Sequence, residues 1–256
     1  MDIYIVDILF FKIWRNLYIR NQIINHLEIF RENKEVTIDS KNDLLTNKYR
    51  DYFLKIIYQG SEILYDNDLP ECVEFLEIVN DFEIDNENKL PLISLKNPPS
   101  SLKTLQITSG SRMNMKSYPL NFFPDSITTL KFSGTDNRQF LPHTFKSSSN
   151  ITSMSFSFWY NFPFEINSLP SGIKELNFFK FSKFDQEFKL NQIPESLTTL
   201  KLPIYYSHPI SKEFIQSLPL LETLLLPESY DSLEYEFLKS IKNIKYFKPI
   251  YHFINK

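Results

Sequence analysis

Residues 123–132 read FPDSITTLKF and residues 193–202 read IPESLTTLKL, nearly the same decapeptide twice in a chain of 256 residues. Aligning on its core recovers further copies: LPECVEFLEI (69–78), PPSSLKTLQI (98–107) and LPSGIKELNF (169–178). Weaker copies are SSNITSMSF (148–156), LPLLETLLL (218–226) and SIKNIKYF (240–247). The central apolar residues, Leu76, Leu105, Leu130, Met154, Leu176, Leu200, Leu224 and Ile244, are separated by 29, 25, 24, 22, 24, 24 and 20 residues. Self-similarity at such a period marks a stacked repeat architecture.

Each copy holds apolar residues in the order L-x-x-L-x-L, as in Leu197, Leu200 and Leu202. The last two are two residues apart, the period of a strand, with Lys201 between them on the opposite face. A proline stands six residues before most central positions. It lacks the N–H a sheet ladder needs, so it belongs in the turn leading into the strand. One copy cannot stand alone. Three buried apolar side chains contribute roughly 1.5–3 kcal/mol each, while ordering some two dozen residues costs about 1.5 kcal/mol per residue. Neighbouring copies must therefore stack. The fold class expected is an α/β repeat solenoid: a leucine-rich-repeat-like curved parallel β-sheet of about eight ~24-residue repeats, preceded by an α-helical N-terminal segment.

Leucine-rich repeats place Asn or Cys three residues after the last Leu; this chain has Tyr205, Thr135 and Gly110 there. The unit that fits better is LPxSLTxLxF followed by an x-Pro-apolar step, as at Tyr118-Pro119-Leu120, Phe162-Pro163-Phe164 and His208-Pro209-Ile210. With FDQEF at 184–188, these residues resemble the FNIP repeat family over about residues 69–247. That resemblance implies a non-enzymatic repeat protein, but no shared activity.

The expected organisation is residues 1–66 as a helical cap or recruitment segment, 67–247 as the solenoid and 248–256 as a C-terminal tail. In the first segment, Phe10, Ile13, Trp14, Leu17, Ile24 and Leu27 fall on one face of an amphipathic helix or bent pair. A second helix is expected over 42–64, with Asn42 or Asp43 as its cap. Three roles compete for the segment. It can cover the open end of the solenoid. It can bind calmodulin, since FFKIWRNLYIRNQIINHL is basic and amphipathic, with Phe10, Trp14, Arg15, Leu17, Arg20 and Ile24 as the recruiting residues. Or it can act as a divergent F-box that joins the chain to ubiquitin-ligase components, because some FNIP-repeat proteins carry one. The L-P-x-E-[IL]-L opening of that motif is absent.

Composition narrows the function classes. A formal net charge of -3 gives no reason to expect nucleic acid or an anionic membrane as partner. No apolar run approaches a membrane span, no secretory leader is visible, and the single cysteine, Cys72, fits a reducing compartment. The expected location is the cytoplasm. His26, His143, His208 and His252 lack neighbours at metal-ligand spacing, and no nucleophile or phosphate-binding motif is present. No cofactor and no catalysis are expected. Cys72 stands where Ser101, Ser126 and Ser196 stand in other copies, so it is a repeat position. The acidic string DFEIDNENKL (81–90) lacks the Gly and Glu of a calcium loop and reads as a solvated connection.

The candidate site is the concave face of the sheet, where a protein partner would dock. Alternation places Thr104 and Gln106, Thr129 and Lys131, Ser153 and Ser155, Glu175 and Asn177, and Thr199 and Lys201 there. Phe75, Glu77, Thr223, Leu225, Asn243 and Lys245 extend the ladder at its ends. Trp159, just beyond the central copy, is either core or an exposed anchor.

Overall fold

The computed structural model describes residues 10–80, 93–110, 117–230 and 233–247. Among them, ten strands form one parallel sheet. They are β1 (Glu35–Ile38), β2 (Lys55–Tyr58), β4 (Phe75–Asn80), β6 (Thr104–Ser109), β7 (Thr129–Gly134), β8 (Ser153–Phe156), β9 (Glu175–Phe178), β10 (Thr199–Lys201), β11 (Thr223–Pro227) and β12 (Asn243–Phe247), and each pairs with the next in that order. Two short strands, β3 (Leu64–Tyr65) and β5 (Ile93–Ser94), pair separately. The fold is the expected curved repeat solenoid, one rung per repeat. The acidic string at 81–90 and the tail at 248–256 lie outside the described residues.

The register is set by the repeat itself. Ile56, Leu76, Leu105, Leu130, Met154, Leu176, Leu200 and Leu224 are paired in sequence across neighbouring strands. All eight are wholly buried. A one-residue slip would turn each to solvent, at roughly 1.5–3 kcal/mol per side chain. The weak copy at 148–156 is a regular rung, with Met154 buried and β8 paired on both sides. The copy at 240–247 forms the last strand, where Ile244 is only partly buried.

The sheet begins earlier than the sequence reading placed it. β1 and β2 lie within residues 1–66 and join the same sheet, so among the described residues two strands precede the eight that carry the repeat motif. The helix expected over 42–64 shrinks to α2 (Lys41–Thr46), capped by Ser40, whose hydroxyl accepts from Asp43 N–H. Phe53, Ile56 and Tyr58, all buried, follow the spacing of Leu197, Leu200 and Leu202. Burial against β4 outweighs the helical period that Leu54 and Ile57 complete.

Hydroxyl groups take the place of the asparagine ladder. Beyond the strands, Thr135 Oγ1 donates to Ser109 O (3.0 Å) and Ser182 Oγ to Ser157 O (3.2 Å). Gly134, at φ 67°, lets this approach happen, since a Cβ there would lie 2.0 Å from Ser109 O. Where the chain enters β4, β6 and β10, a second set points back one rung, whereas Ser126, in the same slot before β7, makes no such bond. Ser101 Oγ donates to Glu71 O and Val73 O (2.6 and 2.7 Å), and Ser196 Oγ to Ser171 O and Ile173 O (2.8 and 2.7 Å). Cys72 Sγ makes the same pair to Asp51 O and Phe53 O (3.2 and 3.3 Å). Gly172 occupies this slot in its own repeat, with nothing within 4 Å of an added Cβ. Gly172→Ser should therefore supply the missing bond and remove glycine's freedom from the unfolded chain. We expect a gain of about 1 kcal/mol, read as a higher urea midpoint at unchanged slope.

Opposite the sheet, aromatic rings stack one per rung. Tyr118, Phe140, Tyr160, Phe184, Tyr206 and Tyr230 follow one another at 5.2, 5.8, 6.2, 6.1 and 6.3 Å between ring centroids. Phe132, Phe156 and Phe178 of the strands pack against this spine, so the interior is filled largely by rings. The turns that close it carry Asn121, His143, Asn167 and Asn191, all at positive φ, a region that Asn and His tolerate better than most residues.

Candidate partner-binding face

The structure puts all ten candidate residues of the sheet on one exposed face, in two rows. Thr104, Thr129, Ser153, Glu175 and Thr199 form the first, and Gln106, Lys131, Ser155, Asn177 and Lys201 the second. Glu35, Lys55 and Phe75 extend the first row toward the N-terminus, and Leu225 and Lys245 extend the second toward the C-terminus. Most of these side chains are half-buried, because each is flanked by its neighbours across the ladder.

The two halves differ in how far their polar groups are already satisfied. In the N-terminal half, Gln106 Nε2 donates to Glu77 Oε1 (3.0 Å) and Thr108 Oγ1 donates to the same oxygen (2.6 Å). Lys55 pairs with Glu35. The ammonium groups of Lys55 and Lys131 lie 5.3 and 5.6 Å from the centre of the Phe75 ring, within cation–π range. In the C-terminal half, Ser153 Oγ donates to Glu175 Oε2 (3.0 Å). Asn177 Oδ1 is shut off from solvent without a hydrogen-bond partner.

Beyond β8 and β9 lies a rim that the sequence reading only touched. Trp159 is 43% exposed, while Tyr160 is buried in the spine. Trp159 packs edge-on against Phe158 (5.0 Å), Phe158 against Phe179 (6.3 Å), and Phe179 against Phe181 (6.1 Å). Phe179 is 54% exposed. It follows Glu175 and Asn177 at two-residue steps, so the alternation that located those two could have located it.

The recruiting residues of the N-terminal segment sit apart from this face. Residues 10–15 are helical, Asn16 breaks the run, and its Oδ1 caps α1 (Leu17–Asn33) by accepting from Tyr18 and Ile19 N–H (3.1 and 3.2 Å). The segment is thus a bent pair. Phe10, Trp14 and Arg15 lie in the first part; Leu17, Arg20 and Ile24 lie in the second. Packing of the apolar face on the first repeats, which a cap requires, is not what the structure shows. α1 buries no residue, Leu17 is 63% exposed, and Phe10, Ile13, Trp14, Ile24 and Leu27 are also exposed. Arg20, Ile23 and Phe30 are half-buried instead, and His26 Nδ1 meets the Tyr52 hydroxyl.

Elsewhere, a cavity of about 510 Å³ opens on the turn side between Arg50, Asp66, Glu71, Cys72 and Asn97. Burial raises the Cys72 thiol above its ordinary pKa, which suits a hydrogen-bond donor to the preceding rung and not a thiolate nucleophile. Among the described residues, no group of three or more His, Cys, Asp or Glu side chains is placed to hold a metal ion. No helix among them is long and apolar enough to cross a membrane.

No family model matches the chain. An FNIP repeat-containing protein of Dictyostelium discoideum is 24% identical over 192 residues, covering 66% of this chain and 34% of its own length. The chain thus spans about a third of the curated relative it matches. The crystal structure of CroV588, described as a novel circular LRR protein, shares 19% identity at a TM-score of 0.45, covering 72% of this chain and 32% of that one. The repeat motif and the curated relative agree: the chain is similar to an FNIP repeat-containing protein.

Proposed function

We propose that the chain is a non-enzymatic, cytoplasmic scaffold that holds a protein partner on the concave face of its sheet. The observation that carries this reading is the pair of continuous side-chain rows, in register over successive parallel strands, next to the exposed Phe179 and Trp159. Short hydroxyl and amide groups complement a polypeptide's own donors and acceptors, and an aromatic pair at the margin supplies an anchor. The exposed apolar face of α1 favours a second reading. In it the helix recruits a further protein, calmodulin or ubiquitin-ligase components, while the repeats hold a client.

Photo-crosslinking in cell extract tests both. A benzoylphenylalanine at Thr199 is expected to capture a partner that the same group at Leu190, exposed in a turn, does not. Capture from both positions alike, or from neither, overturns the concave-face reading. A third probe at Ile24 tests the helix. Calmodulin captured only with calcium, or ligase components captured regardless of it, supports recruitment, and capture of none of these counts against it.

A further inference from the structure

Deepening the concave-face reading and resting on it, we infer that the partner offers an acidic extended segment bearing aromatic or large aliphatic side chains. In the N-terminal half of the face the charges balance, Glu35 and Glu77 against Lys55 and Lys131, with Lys55 paired to Glu35 and Lys131 beside the Phe75 ring. In the C-terminal half, Lys201 and Lys245 on the face, and Lys180 and Lys183 in the turn that follows β9, have no carboxylate partner among the described residues. The acid of that half, Glu175, is exposed and accepts from Ser153. The whole chain carries a formal charge of -3, so this face reverses the sign of the molecule around it. Cations clustered on one side of an acidic protein select an anionic partner and exclude others.

The apolar half of the inference comes from the same place. Phe179 follows Asn177, and Phe247 follows Lys245, each by two residues on the face. Lys180 Nζ lies 5.5 Å from the centre of the Phe181 ring and 5.8 Å from that of Phe247, and Lys183 Nζ lies 5.7 Å from that of Phe158. Rings and ammonium groups are thus interleaved. From β9 to β12 is three strand spacings, about 14 Å, which four to five residues of extended peptide cross. Alternation in such a peptide sets acids over the lysine row and apolar side chains against the rim. A nucleic acid fits less well. Glu175 would oppose its phosphates, and among the described residues the face offers no arginine.

The test uses the full chain and fluorescence anisotropy. The labelled probes are an octapeptide of alternating Glu and Phe, its Lys–Phe and Glu–Ser counterparts, and a twelve-residue oligothymidylate. The Glu–Phe peptide is expected to bind about tenfold or more tighter than any other, and to weaken with salt. Lys180→Glu and Lys201→Glu should each weaken it several-fold, and Lys189→Glu, an exposed turn lysine, should not. Equal binding of the Glu–Phe and Lys–Phe peptides, tightest binding of the oligothymidylate, or an equal effect of Lys189→Glu would overturn the inference. If these fail while the Thr199 probe still captures a partner, the acidic chemistry is wrong and the concave-face reading stands. If the Thr199 probe captures nothing, the reading beneath it fails.

Discussion

Replacing Asp136 with alanine is expected to cost about 3–5 kcal/mol of folding stability, because it strands a buried cation. Asp136 and Arg138 are 3% and 1% exposed inside the aromatic core. Asp136 Oδ1 accepts from Arg138 Nε (3.2 Å) and its backbone N–H (3.3 Å), while Oδ2 accepts from Arg138 Nη2 and the Tyr118 hydroxyl (2.7 Å). The guanidinium also lies 4.0 Å from the centre of the Tyr118 ring. Burial pushes the Tyr118 and Tyr160 hydroxyls well above the ordinary phenol range, so both stay neutral. Neither can replace the lost carboxylate charge.

The paired replacement Asp136→Leu with Arg138→Met should cost less than Asp136→Ala alone. It removes both charges together and leaves the Tyr118 hydroxyl and the backbone N–H of residue 138 without an acceptor, two groups that Asp136→Ala strands as well, each at about 1–3 kcal/mol. Urea unfolding of the three proteins measures this. A loss for Asp136→Ala within about 0.5 kcal/mol, the range of an ordinary surface change, would mean that the pair is not buried in solution.

This ion pair shows where sequence reasoning stops. It lies in SGTDNRQFLPHTFKSSS, which as a string is only a polar connection with aromatics, since nothing in the spacing of Asp136 and Arg138 says that neighbouring rungs enclose them. The strands were legible because a parallel stack demands the same residue type at the same place in every rung, and L-x-x-L-x-L records that demand directly. β1 and β2 escaped for a local reason. Arg50 stands six residues before Ile56 where most other copies have proline, and Asn33 stands where Val36 would need an apolar predecessor. On the exposed face, strand alternation located the rows. Phe158, Trp159 and Phe181 follow the strands, where the chain turns and no period applies.

The two missed rungs give the second large effect. Among the described residues, a chain beginning at residue 34 loses a helix pair in which α1 buries no side chain, and its stability should lie within about 1 kcal/mol of the full chain. A chain beginning at residue 67 loses Ile38, Leu44, Phe53, Ile56, Tyr58 and Leu64 from the core and uncovers Val73 and Leu76. In a stack where each rung is stabilised by its neighbours, every such side chain is worth roughly 1.5–3 kcal/mol. The new edge, β4, would also be open to pairing with another chain. That protein should unfold at markedly lower urea and self-associate on sizing columns. If it is instead as stable as the full chain, the first two rungs stand outside the cooperative unit. If the chain beginning at residue 34 is the one that falls, α1 covers the end of the solenoid despite its exposed face. Recruitment would then have to compete with folding for the same helix.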